Sequence, residues 1–67
     1  MNIDIRKSIK ENFKNSGKDD IINSIEDALK DNDEVTLPGL GVFFELLWKN
    51  SSSDDKDFIV NTIQNGL

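Results

Sequence analysis

The side chains that most often carry chemistry are missing from this sequence, which has no histidine and no cysteine. Imidazole acid–base catalysis, thiol nucleophiles, disulfides and zinc-finger ligation are therefore excluded. Thirteen Asp and Glu residues remain as candidate acid–base groups or metal ligands. A glycosidase-type carboxylate pair needs a cleft to hold it, and here the acidic residues fall on the solvent faces of expected helices. Asp31, Asp33 and Glu34 superficially suggest a calcium loop. The run D-N-D-E-V-T-L-P-G, however, lacks the glycine at the sixth position and the acidic residue at the twelfth that such a loop needs. No catalytic residue, metal ligand or cofactor-binding residue is expected.

Three other groupings bear on binding. Gly39-x-Gly41 has the start of a phosphate-loop pattern, but neither a third glycine nor a Gly-Lys-Ser/Thr follows, so backbone packing or a turn is the better reading. Phe43, Phe44 and Trp48 could stack bases. Lying among Leu40, Leu46 and Leu47, they read more simply as core, with Leu40, Phe43, Phe44, Leu47 and Trp48 as core or self-association residues. Arg6, Lys7, Lys10 and Lys14 form the one basic patch. Solvated helix flanks are the preferred reading, and contact with DNA phosphates or an acidic partner is the alternative.

Charge argues against a strong nucleic-acid role. The 67 residues carry a formal net charge of −5, and an acidic chain repels phosphate backbones. Residues 1–15 are locally basic, with four cations against two carboxylates, whereas residues 16–37 hold two lysines against seven acidic groups. No apolar run is long enough to span a membrane. The opening MNIDIRKSIK is broken by Asp4, Arg6, Lys7 and Lys10, unlike the apolar stretch of a signal peptide. An intracellular chain is expected, and the lack of cysteine fits a reducing cytosol.

The elements that must position these residues follow from periodicity. Ile5, Ile9 and Phe13 recur every fourth residue and predict a first helix that stops before Gly17. Asp19–Asp31 places Ile21, Ile22, Ile25, Ala28 and Leu29 at helical spacing, with Asn32 as its stop and Asp33-Glu34 as an exposed link. From Leu37 to Asn50 the chain is apolar except for Gly41, Glu45 and Lys49, one narrow stripe on a helix. Glu45 lies four residues before Lys49, the favourable order for an ion pair. Thr36 or Leu37 would precede the helix, with Pro38 at its first position. A fourth helix begins at one of Ser51, Ser52 and Ser53, presents Phe58, Ile59, Ile63 and Leu67, and ends near Gly66.

The expected architecture is a single all-α domain over residues 1–67, with four helices and the apolar third one at the centre. A short hairpin at 35–46, giving an α+β fold, is the alternative. Gly39 and Gly41 would let another helix approach the third one closely. A chain this short buries only about 60% of its unfolded surface. It has little left to cover so apolar a helix, which leaves a homodimer through that helix open.

Leu37-Pro38-Gly39-Leu40-Gly41-Val42-Phe43-Phe44-Glu45-Leu46-Leu47-Trp48-Lys49-Asn50 resembles the signature block of the I-type small acid-soluble spore proteins, and the likeness extends more weakly over nearly the whole chain. The resemblance implies a minor protein of endospore-forming bacteria, made in the forespore and kept in the spore core. It implies no defined molecular activity, so no binding or catalytic residues carry over. A second stretch, Asp33–Phe43, is similar to the helix-to-hairpin passage of HU-type histone-like DNA-binding proteins. The long basic arms of that family are missing here, so its function does not transfer. Two readings follow: a non-enzymatic structural or interaction protein of the spore, or a DNA-associating spore protein using the basic first helix. The first is preferred. No cofactor, membrane or small-molecule ligand is expected; self-association as a homodimer is left open, and DNA is not favoured.

Overall fold

A computed structural model describes residues 4–31 and 34–67. Four α-helices are present among them: α1 (Ile5–Phe13), α2 (Lys18–Asp31), α3 (Leu37–Lys49) and α4 (Ser53–Asn65). A single 3-10 turn, Glu34–Thr36, leads into α3. No strand occurs among the described residues, so the hairpin alternative at 35–46, and with it the structural part of the HU likeness, is overturned. The physical reason is the apolar run: a strand would set Phe43 and Leu47 on the same face as Gly41, Glu45 and Lys49, whereas a helix gives those three a narrow stripe of their own. The expected stop at Asn32 and the Asp33 position of the calcium-loop reading lie outside the described residues.

Local chemistry sets each boundary. The Asp4 side chain caps α1 by accepting from the Lys7 N–H at 3.0 Å. Acidic Asp19 and Asp20 sit in the first turn of α2, against the positive end of its dipole. Thr36 precedes α3 but its hydroxyl makes no cap there; it donates to the Ala28 carbonyl at 3.4 Å and ties the turn to α2. The helix begins at Leu37, so Pro38 occupies its second position, where a missing N–H is equally harmless. Ser52 begins α4 with a full capping box: its hydroxyl accepts from the Asp55 N–H, and the Asp55 carboxylate accepts from the Ser52 N–H.

Packing centres on α3. Helix α1 lies against it through Phe13 and Phe43, whose rings meet edge-on at 5.1 Å, and through Ile9, whose Cδ1 would touch a Cβ added at Gly39 at 3.6 Å. Helix α2 packs on the same element. The expected packing of all three amphipathic helices on α3 is only partly realised, because α4 leans on its end: Trp48, stacked on Phe44 at 5.9 Å, is covered by the Lys56 ammonium at 5.2 Å. The side of α4 turned to α3 carries Lys56, Val60 and Ile63. Phe58 therefore falls on the opposite side and is 71% exposed, and Leu67 is fully exposed, so the expected face of Phe58, Ile59, Ile63 and Leu67 does not form as one.

Val42 is the one buried hydrophobic residue among those described. The radius of gyration is 13.1 Å, against about 11 Å for a closely packed chain of this length. These helices are arranged around α3 without closing over it.

The glycines do not act as expected. A Cβ at Gly39 would make an ordinary contact, and one at Gly41 would meet nothing within 4 Å. Neither allows a close helix approach, so both only lower helix propensity. Gly41→Ala is expected to stabilise the fold by about 1 kcal/mol, raising the melting temperature by several degrees in a thermal unfolding curve. Ser52→Ala removes the cap of a 13-residue helix with few tertiary contacts and is expected to cost about 1 kcal/mol locally. Amide exchange should then quicken in α4 while α1 and α3 stay protected.

Candidate interaction surface

The polar stripe of α3 is not left to solvent. Glu45 receives both Arg6 and Lys49: the Arg6 Nε donates to its two carboxylate oxygens at 2.9 and 3.0 Å, and the Lys49 Nζ donates to Oε1 at 3.2 Å. The Glu45–Lys49 pair is the one its spacing foretold. Arg6 comes from α1, 39 residues away, and no local pattern signals it. A carboxylate set in an otherwise apolar helix is the available clue, since it must find a cation wherever a neighbouring helix covers it.

This clamp removes Arg6 from the basic patch. Arg6, Lys10, Lys14 and Lys7 share about 100° of the surface of α1 and its C-terminal cap. Arg6 is committed to Glu45, while no carboxylate among the described residues pairs with Lys7, Lys10 or Lys14. Lys10 and Lys14 stand at the edge of an apolar groove of about 700 Å³.

Three helices build that groove. Helix α1 contributes Ile9 and Phe13, α2 contributes Ile21 and Ile25, and α3 contributes Leu40, Phe43, Phe44, Leu46 and Leu47. These are the inward faces of amphipathic helices, and they converge without meeting. Leu40 and Phe43 are half-buried on the floor, whereas Phe44 and Leu47 are 44% and 49% exposed at the mouth. Trp48 is half-buried next to the mouth, stacked on Phe44 and covered by Lys56. Ile22 and Leu29 continue the apolar surface from the mouth onto the outer side of α2, 48% and 63% exposed. Periodicity had placed both among the packing residues of α2. A second depression carries Asp20, Asp27 and Asp31 above Ile9 and Gly39. Among the described residues no group of His, Cys, Asp or Glu is placed to hold a metal ion, and no helix is long and apolar enough to cross a membrane.

Two cations hold the Glu45 carboxyl well below its ordinary range, at about 2, chiefly through the Arg6 hydrogen bond and then that of Lys49. The same contact raises the Arg6 guanidinium. A depressed carboxyl stabilises the fold when ionised, so its contribution is present above about pH 4.5 and is lost as the pH falls towards about 2. Glu45→Gln is therefore expected to lower the melting temperature near neutral pH and to match the wild type near pH 2. Thermal unfolding at the two pH values checks this, and an equal deficit at both would show that the carboxylate charge is not what ties α1 to α3.

The family described as "Small, acid-soluble spore protein I" matches residues 3–67 of this chain. Among curated relatives, the small, acid-soluble spore protein I of Halalkalibacterium halodurans is 39% identical over the whole chain and 98% of its own length. The proteins of the same name from Geobacillus kaustophilus and Bacillus velezensis are each 34% identical, again over the whole chain, with 97% and 94% of their lengths covered. No solved structure matches. The likeness first carried by Leu37–Asn50 thus extends across a fold with α3 at its centre, and the chain belongs to the small, acid-soluble spore protein I family.

Proposed function

We propose that this minor spore protein acts by association, as a non-enzymatic structural or interaction component of the dormant spore core. The observation that carries this reading is the open apolar groove between α1, α2 and α3. A groove lined by leucine, isoleucine and phenylalanine offers packing surface and no convergent polar groups for bond-making. The absence of histidine and cysteine from the sequence supports the same reading. The family supports a spore location, and the core is the part of the spore this proposal names.

The DNA-associating alternative would rest on Lys7, Lys10 and Lys14, since Arg6 is held by Glu45. Three lysines on a chain of net charge −5 are a weak electrostatic footprint. Titration into duplex DNA at about 50 and about 200 mM salt tests it. Weak or no binding is expected, unchanged by Lys7→Glu/Lys10→Glu. Tight binding that falls steeply with salt and disappears in that double variant would reverse the assignment.

A further inference from the structure

We propose that the groove is half of a core completed by a second copy of the chain, the two copies packing face to face about a two-fold axis that runs along the groove. This rests on the association reading above and names its partner.

The first argument is area. The chain exposes 5880 Å², whereas a compact monomer of 7.6 kDa exposes about 4300 Å². The excess is about twice the roughly 800 Å² that each partner contributes to a standard stable interface. Much of it is apolar: Phe44 and Leu47 line the groove, Ile22 and Leu29 lie next to the lining Ile21 and Ile25 on the wheel of α2, and all four are between 44% and 63% exposed. On α3, Leu40, Phe44 and Leu47 follow one another at four and three residues, the spacing that seats a helix against a helix.

The second argument is charge. The face is bounded on one side by α1, with Lys10 and Lys14 at its edge. On the other side is α2, which carries five carboxylates against two lysines. Glu26 lies four residues after Ile22 and three before Leu29, and Asp19 lies three before Ile22, so both acids share the exposed edge of that helix. A two-fold axis along the groove lays α1 of each copy over α2 of its mate, so both basic edges meet acidic ones. The surface is self-complementary, as an isologous dimer requires. A two-fold axis across the groove would set lysine against lysine and is disfavoured.

Sedimentation equilibrium over a wide concentration range tests the pairing, with far-ultraviolet circular dichroism to confirm that each variant is folded. The wild type should pass from 7.6 kDa to twice that mass. Leu29→Glu alters a side chain that a monomer already exposes, so it leaves the fold intact and should weaken association by roughly tenfold or more. Phe58→Ala, an exposed aromatic on the outer side of α4, should leave association unchanged. Lys10→Glu/Lys14→Glu and Asp19→Lys/Glu26→Lys should each stay monomeric alone and form a mixed dimer when combined, because their edges are then opposite throughout. A wild type that is monomeric at every concentration overturns the pairing. So does a dimer indifferent to Leu29→Glu and both charge reversals, or one lost on Phe58→Ala. None of these outcomes bears on the DNA titration, which alone decides the association reading.

Discussion

Helix α3 is apolar around most of its circumference, and the whole arrangement follows from the need to cover it. Of its thirteen residues, only Gly41, Glu45 and Lys49 interrupt the apolar surface. A helix of that kind is stable in water only with neighbours on nearly every side. The chain supplies α1 and α2 on one flank and the start of α4 on another. Between them one strip of α3 stays open, the strip through Leu40, Phe44 and Leu47. Helix α4 does not close it, because its Lys56, Val60 and Ile63 face a different side of α3, the one that carries Gly41, Glu45 and Trp48.

One charged contact joins α1 to α3 among the described residues. Arg6 presents one nitrogen to both oxygens of Glu45, and Lys49 neutralises what remains. The same interface sets Phe13 against Phe43 and leaves Lys10 and Lys14 at the groove edge. It is also acid-resistant. The 13 carboxylates of the chain protonate as the pH falls, and its formal charge moves from −5 towards the +8 of its Lys and Arg residues. Self-repulsion at +8 opposes aggregation as well as compaction. Glu45 keeps its charge well below the ordinary carboxylate range, since its pKa lies at about 2.

Much of this fold is legible in the sequence because its signals are periodic. The apolar positions of α1 and α2, the serine before α4 and the Glu45–Lys49 pair are all properties of short windows. Helix and hairpin compete at Val35–Leu37 because a β-branched pair before Pro-Gly suits either, and only the stripe further on decides. Less legible is anything set by how helices meet. Arg6 reaches Glu45 across 39 residues. Phe58 belongs to no packed face because α4 leans on α3 with its Lys56 side. Gly39 and Gly41 suggest close contact by residue type, yet neither has a neighbour near enough to need a missing Cβ. The groove itself is a tertiary fact: periodicity shows that α1, α2 and α3 each have an apolar face, but not that the three faces converge and stop short.

The open groove and the division of charge between α1 and α2 are connected. A chain that kept its apolar face covered internally would have no need to place its cations on one side of that face and its carboxylates on the other. Here the separation runs along the groove, lysines on α1 and acids on α2, so the charges cannot satisfy each other without a second surface. A uniformly mixed rim would accept many partners and orient none. A divided rim excludes a uniformly acidic partner at α2 and a uniformly basic one at α1, and it is met in full by a surface of the same pattern turned about the groove. A copy of the chain is such a surface. Under that pairing association adds to the stability of the fold, since the apolar area that a 67-residue chain leaves uncovered is the area that its mate would bury.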